Sequence, residues 1–227
     1  SGGAISPLAE VSLAGRRLAV PADYVMDGLE PAVARAFDAG LKILEKAGAV
    51  ISQVRFPHFN GLPDLFSRGT IVNAEAHEHH ARLGLLDRRD QYDPMVIARI
   101  DLGGRMEAAH VQRLREERAR MIAETDRISA DYDALALPTT PSIAPRYDEI
   151  SDPADFGRHN ACALRNTSLF NFLDRCAISL PLPVQDGMPV GMMLVGETMG
   201  DQRLLMLSRA AEAVHGLVFL PVESGAA

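Results

Sequence analysis

The stretch Tyr132–Pro145, YDALALPTTPSIAP, carries four apolar residues without alternation, Ala134 to Leu137, into two threonines bracketed by prolines. A short apolar run with no polar residue at every second position suits a strand buried on both faces, as in the interior of a parallel sheet. Helices must then cover both faces, so the run points to an α/β arrangement. Pro138 and Pro141 end the strand, because proline cannot donate to a ladder. Thr139 and Thr140 therefore fall at its carboxyl end, where open α/β sheets hold their ligands. Two readings stand open: the hydroxyls line a pocket, or they satisfy backbone groups of the loop.

Upstream, "RRLAVP" (16–21) reads as a strand. "LEPAVARAFDAGLKILEKAG" follows with a helical stripe of Val33, Phe37, Leu41 and Leu44, Pro31 near its start and Gly48 at its end. "AVISQVRFP" reads as a second strand, which completes a right-handed βαβ unit with parallel strands. The section from Asp64 to Ala130 is helical. Its clearest part sets Val111, Leu114, Met121, Thr125 and Ile128 on one face, with charged residues on the other, where Glu116 and Arg120 are spaced to pair.

Downstream, "SDPADFG" reads as a polar loop. "CAISLPLP" and "PVGMMLVG" read as strands joined through an Asp186-Gly187 turn signal. A last helix has Asp201 as N-cap and a stripe of Leu204, Leu207, Ala211 and Val214, and it stops at Gly216. Residues 1–15 read as a linker or remnant, 16–221 as one α/β portion and 222–227 as a flexible tail. Few strands serve much helix, so the sheet looks incomplete.

The chain has 227 residues, 47% of them hydrophobic, with a net charge of −7. Its mean hydropathy is +0.00. These values describe a water-soluble globular protein and give no electrostatic footprint for nucleic acid. No apolar run is long enough to span a bilayer. The two cysteines, Cys162 and Cys176, are too few for a disulfide scaffold and suit a reduced, cytoplasmic setting.

Three segments together, "DALALPTTPSIAP", "RNTSLFNFLDRCAISLPLP" and "GMPVGMMLVGETMGDQRLLMLSRAAE", resemble the carboxyl-terminal half of the amidase signature family. The resemblance extends back through "DPMVIARIDLGGRMEAAHVQRLREERARM" to "LAGRRLAVPADYV". It implies a mixed, partly parallel sheet flanked by helices, part of a larger fold, and hydrolysis of small-molecule amides without a cofactor. The family's nucleophilic Ser, relay Ser and buried Lys belong to a Gly-Gly-Ser-Ser-Gly-Gly-like segment that this sequence does not contain. Its only lysines, Lys42 and Lys46, lie on the βαβ helix and read as solvated. No catalytic residue carries over, and the chain alone is expected not to turn over amides.

As substrate-binding candidates the resemblance supplies Thr139, Thr140, Asn171 and Arg165. Asn171 falls where the family has an Asn before its "AISLP" strand. Arg165 could meet an acidic or polar substrate group; the structural alternative pairs it with a surface carboxylate such as Asp174. Leu182 and Pro183 stand where the family has a glycine after that strand. Two other functions compete: a noncatalytic binding or assembly module, with few exposed sheet edges, and a metal-dependent enzyme. The latter would use His77 and His80, three apart on a helix, with Glu75 or Glu78. A hydrolase portion should instead expose sheet surface that favours association, a homodimer included.

Overall fold

The computed structural model describes residues 8–182 and 188–216. Its sheet has five strands in the order β2-β1-β3-β5-β4. These are β1 (Arg17–Pro21), β2 (Val50–Val54), β3 (Ala134–Pro138), β4 (Ala177–Pro181) and β5 (Gly191–Val195). β1 pairs in parallel with β2, Arg17 opposite Val50, and with β3, Leu18 opposite Ala134. β5 runs antiparallel to both β3 and β4. The sheet is thus mixed and partly parallel, as the sequence implied. The Asp186-Gly187 turn lies outside the described residues.

Helix α1 (Pro31–Lys46) joins β1 to β2 and buries Val33, Phe37 and Leu44, with Leu41 at the margin of the core. Proline at its first position suits a helix start, where the missing N–H has no partner to lose. Lys42 and Lys46 are exposed, as solvated helix residues should be. A short helix α2 (Leu62–Phe66) leads to α3 (Ile71–Arg82), α4 (Pro94–Gly104) and the long α5 (Ala108–Ser129). α3 and α4 touch at a glycine pair. A Cβ on Gly103 would lie 1.9 Å from the Asn73 carbonyl oxygen, and one on Gly104 would strike the His77 ring.

On α5, Leu114, Met121 and Thr125 are buried and the charged face is solvated. The ion pairs there slip from the expected register: Arg120 meets Glu117 at 2.7 Å and Glu124 at 3.4 Å. Glu116 instead accepts from Gln112.

Two further corrections concern helix starts. The segment read as a polar loop opens α6 (Pro153–Phe172): Asp152 is its N-cap and accepts from the Ala154 and Asp155 N–H groups, both at 2.8 Å. Its Asp-Pro pair is thus a helix start signal. In α7 (Asp201–His215), Gly200 takes the N-cap place and Asp201 is the first helical residue, its charge favourable beside the helix amino end. Gly216 ends α7 in the left-handed region at φ 67°.

All five residues of β3 are buried, and its side chains alternate between two cores. Ala134 and Ala136 join Leu18, Leu180 and Leu194 under α1 and α7. Leu135 and Leu137 join Ala19, Met193 and Val195 against Phe56, Phe59, Met121, Leu169 and Phe170. The edge strands β2 and β4 are less covered, with Val50 at 49% exposure and Ala177 and Ser179 open.

Candidate functional site

The end of β3 and the loop after β1 are roofed by the middle and second half of α6. Along this helix Cys162 Sγ lies 3.7 Å from Ser142 Oγ. One turn on, Asn166 Nδ2 donates to the Pro138 carbonyl at 2.8 Å and to the Val25 carbonyl at 3.2 Å. Asn166 is fully buried, so these bonds supply the hydrogen bonding its amide needs once water is excluded. It ties the loop after β1 to the last residue of β3. Asn166 was not among the expected residues. A polar side chain sharing a helical face with Leu169 and Phe170, three and four residues on, is the signal that could have found it.

The threonines divide their roles. Thr140 Oγ1 donates to the Ser142 carbonyl at 2.8 Å, which satisfies the loop backbone. Thr139 donates its backbone N–H to the Gly191 carbonyl at 2.8 Å, while its hydroxyl meets Ser179 Oγ at 2.6 Å. This hydroxyl pair crosses in front of Gly191, where a Cβ would lie 2.6 Å from Ser179 Oγ and 2.7 Å from Thr139 Oγ1. Glycine therefore lets hydroxyls from β4 and from the end of β3 meet across β5. Two hydroxyls sharing one hydrogen bond leave one O–H free to donate.

Arg165 does not pair with Asp174, whose carboxylate meets Arg118 at 3.3 Å. It donates through Nε to Asn166 Oδ1 at 3.2 Å and through Nη2 to the Val25 carbonyl at 3.1 Å. Its guanidinium carbon lies 5.8 Å from the centre of the Tyr24 ring. Burial pushes the Tyr24 phenol above its ordinary range, and the Arg165 charge pulls the other way. Tyr24 also has a left-handed backbone, φ 48°, a conformation that costs a non-glycine residue and is held here by its surroundings. Asn171 stands exposed in the last turn of α6, about 140° around the helix from Asn166.

The histidines do not converge. His77 packs on Gly104, and His80 turns its Nδ1 to the Ala76 carbonyl at 2.7 Å. Among the described residues, no group of three or more His, Cys, Asp or Glu is placed to hold a metal ion. A cleft of about 410 Å³ opens at the other end of β3, lined by Asp126, Asp133, Arg175, Glu197 and Arg203. Its charges are matched internally: Arg175 to Asp126, Arg203 to Glu197, and Asp133 to Arg16. None of the described helices is long and apolar enough to cross a membrane.

This fold is that of a known family. The Amidase family model matches residues 3–205, and the chain belongs to that family. It is 28% identical over 214 residues to 2-amino-5-chloromuconic acid deaminase of Comamonas testosteroni, covering 92% of this chain and 45% of that protein. With a glutamyl-tRNA(Gln) amidotransferase subunit of Chloroflexus aggregans it shares 27% identity over 224 residues, covering 88% and 44%. Among solved structures, the corresponding subunit from Thermotoga maritima superimposes with a TM-score of 0.66 at 25% identity, covering 88% of this chain and 43% of that one. A variant of Kluyveromyces lactis allophanate hydrolase gives 0.77 at 22% identity, covering 92% and 33%, a likeness of fold. The chain spans about half the length of the curated relatives it matches.

Proposed function

We propose that this chain is the carboxyl-terminal portion of a cytoplasmic amide hydrolase that cleaves C–N bonds of small carboxylic amides. It supplies part of the sheet and one wall of the substrate pocket. The observation that carries this reading is the Thr139–Ser179 hydroxyl pair, set across Gly191 at the end of the central strand of a chain belonging to the amidase family. The uncommitted O–H can donate to the substrate amide oxygen, while Thr140, Asn166 and Arg165 hold the loops around it. Asn171, exposed at the far end of α6, is placed to take part only where a further segment covers it. The nucleophile and base come from a Gly-Ser-Ser-Gly-like segment and a lysine outside this sequence, and the open β4 edge is where such a segment can associate.

The test has two arms. A serine-reactive fluorophosphonate should leave this chain unlabelled; specific labelling overturns the claim that the nucleophile lies elsewhere. In the gene product extended upstream through such a segment, amide hydrolysis should appear. Replacing Thr139 and Ser179 together by alanine should lower kcat/KM by about 10- to 100-fold, the equivalent of one or two substrate hydrogen bonds. Unchanged kcat/KM removes this pair from the pocket.

A further inference from the structure

Among the described residues, Arg165 is a cation without an anion: no carboxylate of theirs lies within ion-pair distance of it, although it is only partly exposed and is held at two points. Its two acceptors, Asn166 Oδ1 and the Val25 carbonyl, are neutral. Asp23 and Glu30, in the segment that carries Val25, and the sequence-suggested partner Asp174 are engaged elsewhere. Asp23 accepts from the Phe56 N–H at 3.0 Å, Glu30 from the Ile143 N–H at 3.1 Å, and Asp174 faces Arg118.

The position of this cation gives it meaning. The Val25 carbonyl that Arg165 holds is also held by Asn166, whose other bond goes to Pro138. The Asn166 side chain, bonded to both, therefore stands between the guanidinium and the last residue of β3. The Tyr24 ring lies beside it and limits how far the side chain can swing. A guanidinium has five N–H groups in a planar fork. The two bonds to Asn166 and Val25 leave others uncommitted, and a fork of this kind matches both oxygens of a carboxylate. Partial burial without a counter-ion is costly, and a ligand carboxylate would relieve that cost.

We propose that Arg165, steadied by Asn166 and Tyr24, receives a carboxylate of the substrate, so that the amide this pocket takes also carries an acid group. This rests on the reading of the strand-end wall as an amide pocket.

The decisive comparison needs no variant. The full chain is titrated by NMR with succinamate, which carries one amide and one carboxylate, and with succinamide, its neutral diamide. Succinamate should bind about 10-fold more tightly, the scale of one charge-assisted fork in a partly screened site. Arg165→Gln should abolish that preference, and Arg165→Lys, which keeps the charge but loses the fork, should retain part of it. Equal affinities for the two probes overturn the carboxylate proposal and leave the amide pocket standing. If neither probe shifts the Thr139, Thr140 and Ser179 signals, the pocket reading falls and the carboxylate proposal with it.

Discussion

The side-chain amide of Asn166 donates to the carbonyl of Pro138 at 2.8 Å, fastening helix α6 to the end of the central strand from a fully buried position. The same nitrogen reaches the Val25 carbonyl. Asn166→Ala would take this donor from the buried Pro138 carbonyl and leave the Val25 carbonyl to Arg165 alone, and should destabilise the fold by about 1–3 kcal/mol. Urea unfolding of the variant measures this, and a loss below about 0.5 kcal/mol would show that the clamp is dispensable.

Gly191 is predicted to be the least replaceable small residue of the sheet. In Gly191→Ala the new methyl meets the hydroxyls of Ser179 and Thr139 at 2.6 and 2.7 Å, well inside van der Waals contact. A loss of about 1–3 kcal/mol is expected from this overpacking. Adding Ser179→Gly should recover part of it, a coupling that a double-mutant cycle reads directly.

Core and edge should respond very differently to truncation. Leu135 is fully buried in β3, and Leu135→Ala should cost about 2–5 kcal/mol. Val50 on the edge strand β2 is 49% exposed, and Val50→Ala should change stability by no more than about 0.5 kcal/mol. Chemical denaturation of the two variants side by side tests the layering of the sheet.

Acid should weaken the fold through its buried histidines. Burial holds the His58 imidazole below its ordinary value; Glu124 opposes this, and Arg120 and Arg127 add to it. The His58 ring is also bonded to Thr125 Oγ1 at 2.8 Å. His215 is lowered by burial too, against the pull of the Gly40 carbonyl. Both rings bind protons less readily folded than unfolded. Stability is therefore complete above about pH 6.5 and falls as the pH drops through the depressed folded values. Melting temperatures should be lower at pH 5 than at pH 7.5, with a shallower dependence in His58→Gln.

Much of the frame was legible in the sequence, because it depends on patterns that burial enforces locally. The unbroken ALAL run marks a strand covered on both sides, and the 31–46 stripe marks a helix with one buried face. The site was harder to read. Asp152 and Pro153 look like loop residues until the helix they start is seen, since capping and turn chemistry draw on the same residue types. Asn166 was missed because its function depends on two carbonyls, 28 and 141 residues away in sequence. The threonines were found as a pair, yet only the fold separates them. Thr140 turns inward to its own loop, and Thr139 reaches a hydroxyl 40 residues away.

The alternation of β3 between the two cores has a consequence for how the molecule comes apart. Because Ala134 and Ala136 belong to one layer and Leu135 and Leu137 to the other, neither layer can melt and leave the other a complete wall. The strand couples the two layers as a shared hinge pin would. The amides of β3 should then exchange their hydrogens only when the whole domain opens, while those of β2 exchange through local fraying.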